Sequence, residues 1–92
     1  MALDREKKLW HEQMVVWHKQ NIVFCNQQVE YFRSSIEATN KFIAVAHPNV
    51  EHNINRTERK SMLEKLITSQ ENIVKWHTKQ IEFHSSIVRW GV

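Results

Sequence analysis

Imidazole and thiol groups recur in this chain at a spacing that could do chemistry. His11, His18 and Cys25 follow one another at seven-residue intervals, with Phe32 continuing the row, and Leu63, Gln70, His77 and His84 repeat it later. Neutral imidazole and thiolate are ligands for zinc or copper. Seven helical residues climb roughly 10.5 Å, however, too far for two neighbours on one helix to share an ion. The i, i+4 spacing of helical histidine sites is missing, so each layer would supply only two ligands. No metal and no cofactor is therefore expected; His18, Cys25, His77 and His84 are the residues that would serve if an ion were held. The expected role is structural, with polar layers fixing register and each imidazole bonded to a backbone carbonyl, a glutamine or a serine. Histidines in such an interface would repel once protonated near pH 6, so acid sensitivity is a corollary.

Cationic and aromatic side chains form a second set. Lys75, Trp76, His77 and Lys79 are close in sequence, as are Arg89 and Trp90, and Arg56, Arg59 and Lys60 gather near the start of a second helix. Aromatics stack on bases, basic groups neutralise phosphate, and a helix N-terminus offers free N–H groups to an anion. These residues could hold an anionic nucleotide or RNA in a pocket between subunits, in a sequestering or regulatory role. Against this, thirteen Lys and Arg face ten Asp and Glu, a net charge of only +3. Glu58, Glu64, Glu71 and Glu82 are interspersed among the cations, as on an ordinary solvated surface.

Catalysis finds little support. Ser34, Ser35, Ser85 and Ser86 fall mid-helix without a glycine elbow, and Glu12, Glu30 and Glu37 take outward positions. Cys25 could be a nucleophile beside His77, but a thiol packed in a helix seam is generally inert. The chain reads as a non-enzyme.

The elements that would position these groups are helices. One glycine and one proline in 92 residues leave almost no turn punctuation for sheets or phosphate loops. Asp4 is the expected N-cap of helix one, with Glu6 in the first turn. That helix runs over about 4–46, roughly 63 Å at 1.5 Å per residue, until Pro48 stops it. A loop is expected over 47–54. Asn55 and Glu58 resemble a capping box opening helix two, which runs over about 55–90 and stops at Gly91.

Two seams decide the architecture. Val15, Ile22, Val29, Ile36 and Ile43 repeat every seven residues on helix one, and Ile67, Val74, Ile81 and Val88 do so on helix two. Folding the chain back pairs Val15 with Val88, Ile22 with Ile81, Val29 with Val74 and Ile36 with Ile67. That register sets His18 near His84 and Cys25 near His77, and strict sevens add a left-handed supercoil. The second seam is aromatic: Trp10, Trp17, Phe24 and Tyr31 on helix one, Trp76, Phe83 and Trp90 on helix two. The cassette W-H-x-x-x-[VI]-x-[WF] recurs at Trp10, Trp17 and Trp76. About 140° separates the seams around each helix, so two helices alone leave the aromatic one in water.

The expected fold is therefore all-α: a single domain of two long antiparallel helices, a helical hairpin, self-associating into a four-helix or larger bundle through Trp10, Trp17, Phe24, Tyr31, Trp76, Phe83 and Trp90. Its expected function is that of an oligomeric binding or assembly module, an adaptor or small inhibitor acting on another protein, as in accessory or virus-encoded factors. The nucleotide or RNA pocket is the alternative. A lone cysteine, no apolar leader in M-A-L-D-R-E-K-K and no bilayer-length apolar run point to a reducing, cytoplasmic setting without membrane contact. The sequon at Asn55 is then fortuitous.

Overall fold

Two helices account for nearly the whole structure. The computed structural model describes residues 4–44 and 50–91, with side chains described for 4–41 and 54–91. Helix α1 spans Arg5–Ala44 and helix α2 spans Val50–Trp90. Among the described residues only Asp4 and Gly91 are non-helical, and no strand is present. No glycine or proline interrupts either helix, so each residue adds a backbone hydrogen bond at little entropic cost. Among the described residues no helix is long and apolar enough to cross a membrane.

The termini are capped as the residue types require. Asp4 Oδ1 accepts a hydrogen bond from the Glu6 amide at 2.9 Å, and the Asp4 carbonyl accepts from Lys8 N at 2.8 Å. At the other end Gly91 takes φ 68°, a left-handed conformation that suits glycine, and its amide donates to the Ile87 carbonyl at 2.7 Å.

Helix α2 begins at Val50, earlier than the expected loop over 47–54 allows. Asn55 and Glu58 consequently lie inside the helix and form no capping box. Residues 50–54 contain neither glycine nor proline, and an asparagine inside a helix costs less than about 0.7 kcal/mol relative to alanine, too little to stop it. Pro48 and the expected end of helix one at Val45 and Ala46 lie outside the described residues.

The chain divides into two compact units, one of Met1–Cys25 with Asn72–Val92, the other of Asn26–Glu71. In the first unit the helices pair antiparallel, His11 against His84 and His18 against His77. The second unit is the more apolar, with Val29, Leu63 and Ile67 buried and the Thr39 hydroxyl donating to the Ser35 carbonyl at 2.8 Å. At its surface Arg33 and Glu71 approach to 3.9 Å, an exposed pair of small energetic weight.

The buried centre differs from the one the aliphatic repeat suggests. Val29 and Ile67 are buried, but Val15, Ile22, Ile36, Val74, Ile81 and Val88 are only half-buried. The innermost positions belong to the neighbouring row, His18, Cys25, Leu63, His77 and His84. The aliphatic residues stand about 40° around the helix from that row, so they flank it rather than fill it. Leu63 and Leu66 calibrate this packing. Leu63→Ala should cost about 2–4 kcal/mol in urea unfolding, whereas Leu66→Ala, at a position 39% exposed, should cost well under half as much.

Candidate functional site: a histidine ladder beneath an aromatic face

The first unit contains the molecule's densest concentration of chemistry-bearing side chains. His11 and His18 occupy equivalent places two turns apart on α1, and His77 and His84 do so on α2. Antiparallel pairing brings them together in two layers. His18 Nδ1 lies 2.7 Å from His77 Nδ1, and His11 Nδ1 lies 2.7 Å from His84 Nδ1. The layers also touch, with the His18 and His84 rings stacked at 5.7 Å between centroids and 22° between planes. Four imidazoles thus form a continuous ladder in the order His11, His84, His18, His77.

Its hydrogen bonds impose a protonation state. A bond between two Nδ1 atoms needs one donor and one acceptor, so one ring carries its proton on Nδ1 and the other on Nε2. Either pair can carry one extra proton on the donor ring's outer nitrogen. A second proton would fill the acceptor nitrogen and break the bond. Burial reinforces neutrality at His18, which is 1% exposed, and at His84. His18 is held below the ordinary histidine value of 6.5 by desolvation, then by the charges that His77 and His84 would carry. His84 is lowered by desolvation and then by His11.

Each histidine is roofed by the aromatic residue preceding its partner. Trp17 meets the His77 ring at 5.7 Å and Trp76 meets the His18 ring at 5.4 Å, both edge-to-face. Trp10 meets His84 at 5.5 Å, and Phe83 meets His11 at 6.5 Å. Trp17-His18 and Trp76-His77 therefore occupy equivalent places about a local two-fold axis. A residue one position before the buried row lies 100° around its own helix, in the same rotational sense on both. On antiparallel helices that offset directs both aromatics to the same broad face. Trp10, Trp17 and Phe24 from α1 and Trp76, Phe83 and Trp90 from α2 share it, each 48–70% exposed.

No known protein family matches the chain, and neither a curated protein nor a solved structure matches it. The site's chemistry must be read from its own residues.

Several expectations meet this geometry directly. His18 does lie against His84, as the aliphatic register implied, but its hydrogen bond goes to His77. The imidazoles bond to one another rather than to a carbonyl, glutamine or serine. Antiparallel pairing sets the rings opposite one another across the helices, and each opposing imidazole supplies the needed donor or acceptor at 2.7 Å. Cys25 is a buried free thiol. Among the described residues no group of three or more His, Cys, Asp or Glu side chains has the arrangement of a metal site.

The cationic residues are dispersed. Arg56 and Arg59 line a cleft of about 350 Å³ in the second unit with Ser35, Ala38 and Thr39. Lys60 is half-buried in the same unit. In the first unit Lys75, Trp76 and Lys79 are exposed, but His77 is buried with its Nδ1 engaged by His18. Arg89 lines a cleft with Glu12, Val15, Ser85 and Val88. Tyr31 is an exposed residue of the second unit, in edge contact with Phe32. One feature escapes a reading by seams: Leu9, Val16 and Val23, also seven apart, are exposed and carry the apolar surface of α1 beyond its aromatics. Their spacing was readable, but aliphatics next to a stronger aromatic row look like part of it.

Magnitudes show which influence governs the ladder. Two charged imidazoles at the 4.9 Å centroid separation of His18 and His77 would repel by about 3 kcal/mol at an effective dielectric constant near 20. Attraction of one charged imidazole to a tryptophan face recovers only about 0.5–1 kcal/mol. The aromatic roof therefore cannot hold a doubly charged pair. At pH 8, His18→Leu should cost about 1–3 kcal/mol by orphaning His77. The double variant His18→Leu/His77→Leu should cost less than the two single variants together, leaving a coupling of at least 0.5 kcal/mol in a double-mutant cycle of urea denaturation.

Proposed function

We propose that the protein is a non-enzymatic assembly module whose aromatic face docks on a second copy of itself, burying the tryptophans in a four-helix bundle. The exposure of six aromatic side chains on one face of the first unit carries this reading. An aromatic side chain buries roughly 150–250 Å² when covered, so leaving half of each open amounts to about 600 Å². That is the upper end of the largest apolar patch on an ordinary monomer and approaches the roughly 800 Å² per partner of a standard interface. A second copy is the occupant that fits best. Its face repeats the same rise of about 10.5 Å between aromatic layers, so knobs on one copy meet holes on the other without a register mismatch. The local two-fold arrangement of Trp17 and Trp76 suits the self-complementary contact a symmetric dimer needs. Leu9, Val16 and Val23 offer a further apolar strip along α1, which favours bundles larger than four helices. Such an assembly would act through protein contacts, as an adaptor or a small inhibitor.

Among the described residues the ladder's ring contacts are with Trp10, Trp17, Trp76 and Phe83, so Phe24 and Trp90 test this without disturbing it. The wild-type protein should show a mass of at least twice 11.1 kDa by light scattering. Phe24→Lys/Trp90→Lys should run as a monomer with unchanged helical circular dichroism. A monomeric wild type at tens of micromolar, or a variant that keeps the full mass, overturns the proposal.

The cleft of Arg56 and Arg59 supports a second reading, in which the oligomer holds an anionic nucleotide or RNA. Two guanidinium groups lining one cleft with Ser35 and Thr39 supply the positive charge and N–H donors that suit a phosphate. This reading expects excess absorbance at 260 nm in the purified protein, removed by high salt, and oligonucleotide affinity that falls steeply between 50 and 200 mM salt. Arg59→Ala should weaken that affinity several-fold; an unchanged affinity in the variant counts against the cleft.

A further inference from the structure

We propose that the four-histidine ladder is an acid-operated lock on the aromatic face, closed when the imidazoles are neutral and opened when either pair takes up a second proton. The inference adds regulation to the assembly proposed above and rests on it for that part alone. Three observations carry it. Both Nδ1 pairs stand at 2.7 Å, a bond that two doubly protonated rings cannot form. The ladder is continuous, because His18 also stacks on His84, so charging one layer is felt in the next. Trp10, Trp17, Trp76 and Phe83 rest on these same four rings, so the face cannot keep its arrangement if the rings part.

Among the described residues the surroundings supply no buried counter-charge. The groups facing the ladder from α1 are His11 and His18 themselves, with Trp10 and Trp17 and, one layer on, the Cys25 thiol. From α2 they are His77 and His84, with Trp76 and Phe83. The charged side chains nearest in sequence, Lys8, Glu12, Lys19, Lys75, Lys79 and Glu82, are exposed. Among the described residues no carboxylate is ion-paired to any of the four histidines. A second proton entering a pair therefore meets like charge in a buried setting, with no described carboxylate paired to it.

The sign follows from the lowered histidines. His18 and His84 bind protons less readily folded than at their ordinary value of 6.5, so around that pH the unfolded chain holds more protons than the folded one. Stability is full above pH 6.5 and is lost progressively as the pH falls below it. Proton uptake then favours separation of α1 from α2 in this unit and dispersal of the aromatic face.

Sedimentation velocity and thermal melting at pH 7.5 and pH 5.0, on the wild type and on His18→Leu/His77→Leu, test the lock. The expected wild type is assembled at pH 7.5 and at least half dissociated at pH 5.0, with a melting temperature lower by more than about 5 °C. The double variant, left with only the outer pair to take up protons, should dissociate less than the wild type at pH 5.0, with no more than about half its shift in melting temperature. If that variant fails to fold, His11→Leu/His84→Leu makes the same comparison in the outer layer. A wild type that keeps its mass and melting temperature at pH 5.0 overturns the lock. So does a leucine pair that keeps the whole pH dependence. A wild type monomeric at both values overturns the assembly reading instead, and the melting shift and its loss in the leucine pair then decide the lock alone.

Discussion

The first unit depends on one contact, the hydrogen bond between His18 and His77 Nδ1. An imidazole buried to this degree is tolerable only if its polar atoms find partners, and here two opposed histidines satisfy each other. The requirement settles the register, because a slip of one turn would separate both His18 from His77 and His11 from His84. A limit on charge follows from it, since the bond needs an open acceptor nitrogen and a pair can therefore hold one extra proton but not two. So does the position of the aromatics: with histidine innermost, the residue before it is turned outward by 100°. Polar layers in a helical interface commonly trade some stability for a defined pairing, and this ladder has the form of such a device.

The second unit solves the same packing problem with different chemistry. Val29, Leu63 and Ile67 fill its interior, and its buried polar group, Thr39, is satisfied within its own helix by the Ser35 carbonyl. Apolar contacts specify helix pairing less sharply than matched hydrogen bonds but are insensitive to pH. Among the described residues the buried histidines lie where the tryptophans are, while the part of the chain carrying the Arg56 and Arg59 cleft has none in its described interior.

Much of this was legible in the residues themselves. The absence of glycine and proline between Arg5 and Ala44, the Asp4 cap and the Gly91 stop announced long helices with those ends. The seven-residue rows announced which side chains share a face. The start of α2 was hidden, because nothing in residues 50–54 either forbids or favours helix strongly and Asn55 looks like a cap wherever it stands. The centre of the interface was hidden for a different reason. A hydropathy ranking puts Val15, Ile22, Ile81 and Val88 innermost. The actual arrangement places the aromatic-His dipeptides symmetrically, so that four imidazoles meet in two pairs and four aromatics cover them. Matching Trp10-His11 with Phe83-His84, and Trp17-His18 with Trp76-His77, would have revealed the pairing, but only once a polar centre was considered as stable as an aliphatic one.

The central claim, that two neutral histidine pairs organise this face, is most directly tested by nitrogen-15 NMR of the imidazole side chains at pH 8. Nδ1–Nδ1 pairing requires two of the four ladder histidines to carry their proton on Nδ1 and the other two on Nε2, with slowly exchanging Nδ1 protons. A spectrum with that split, lost in His18→Leu/His77→Leu for the inner pair alone, is the expected result. Four Nε2–H tautomers in rapid exchange with water would contradict the pairing and, with it, the reading built on the ladder.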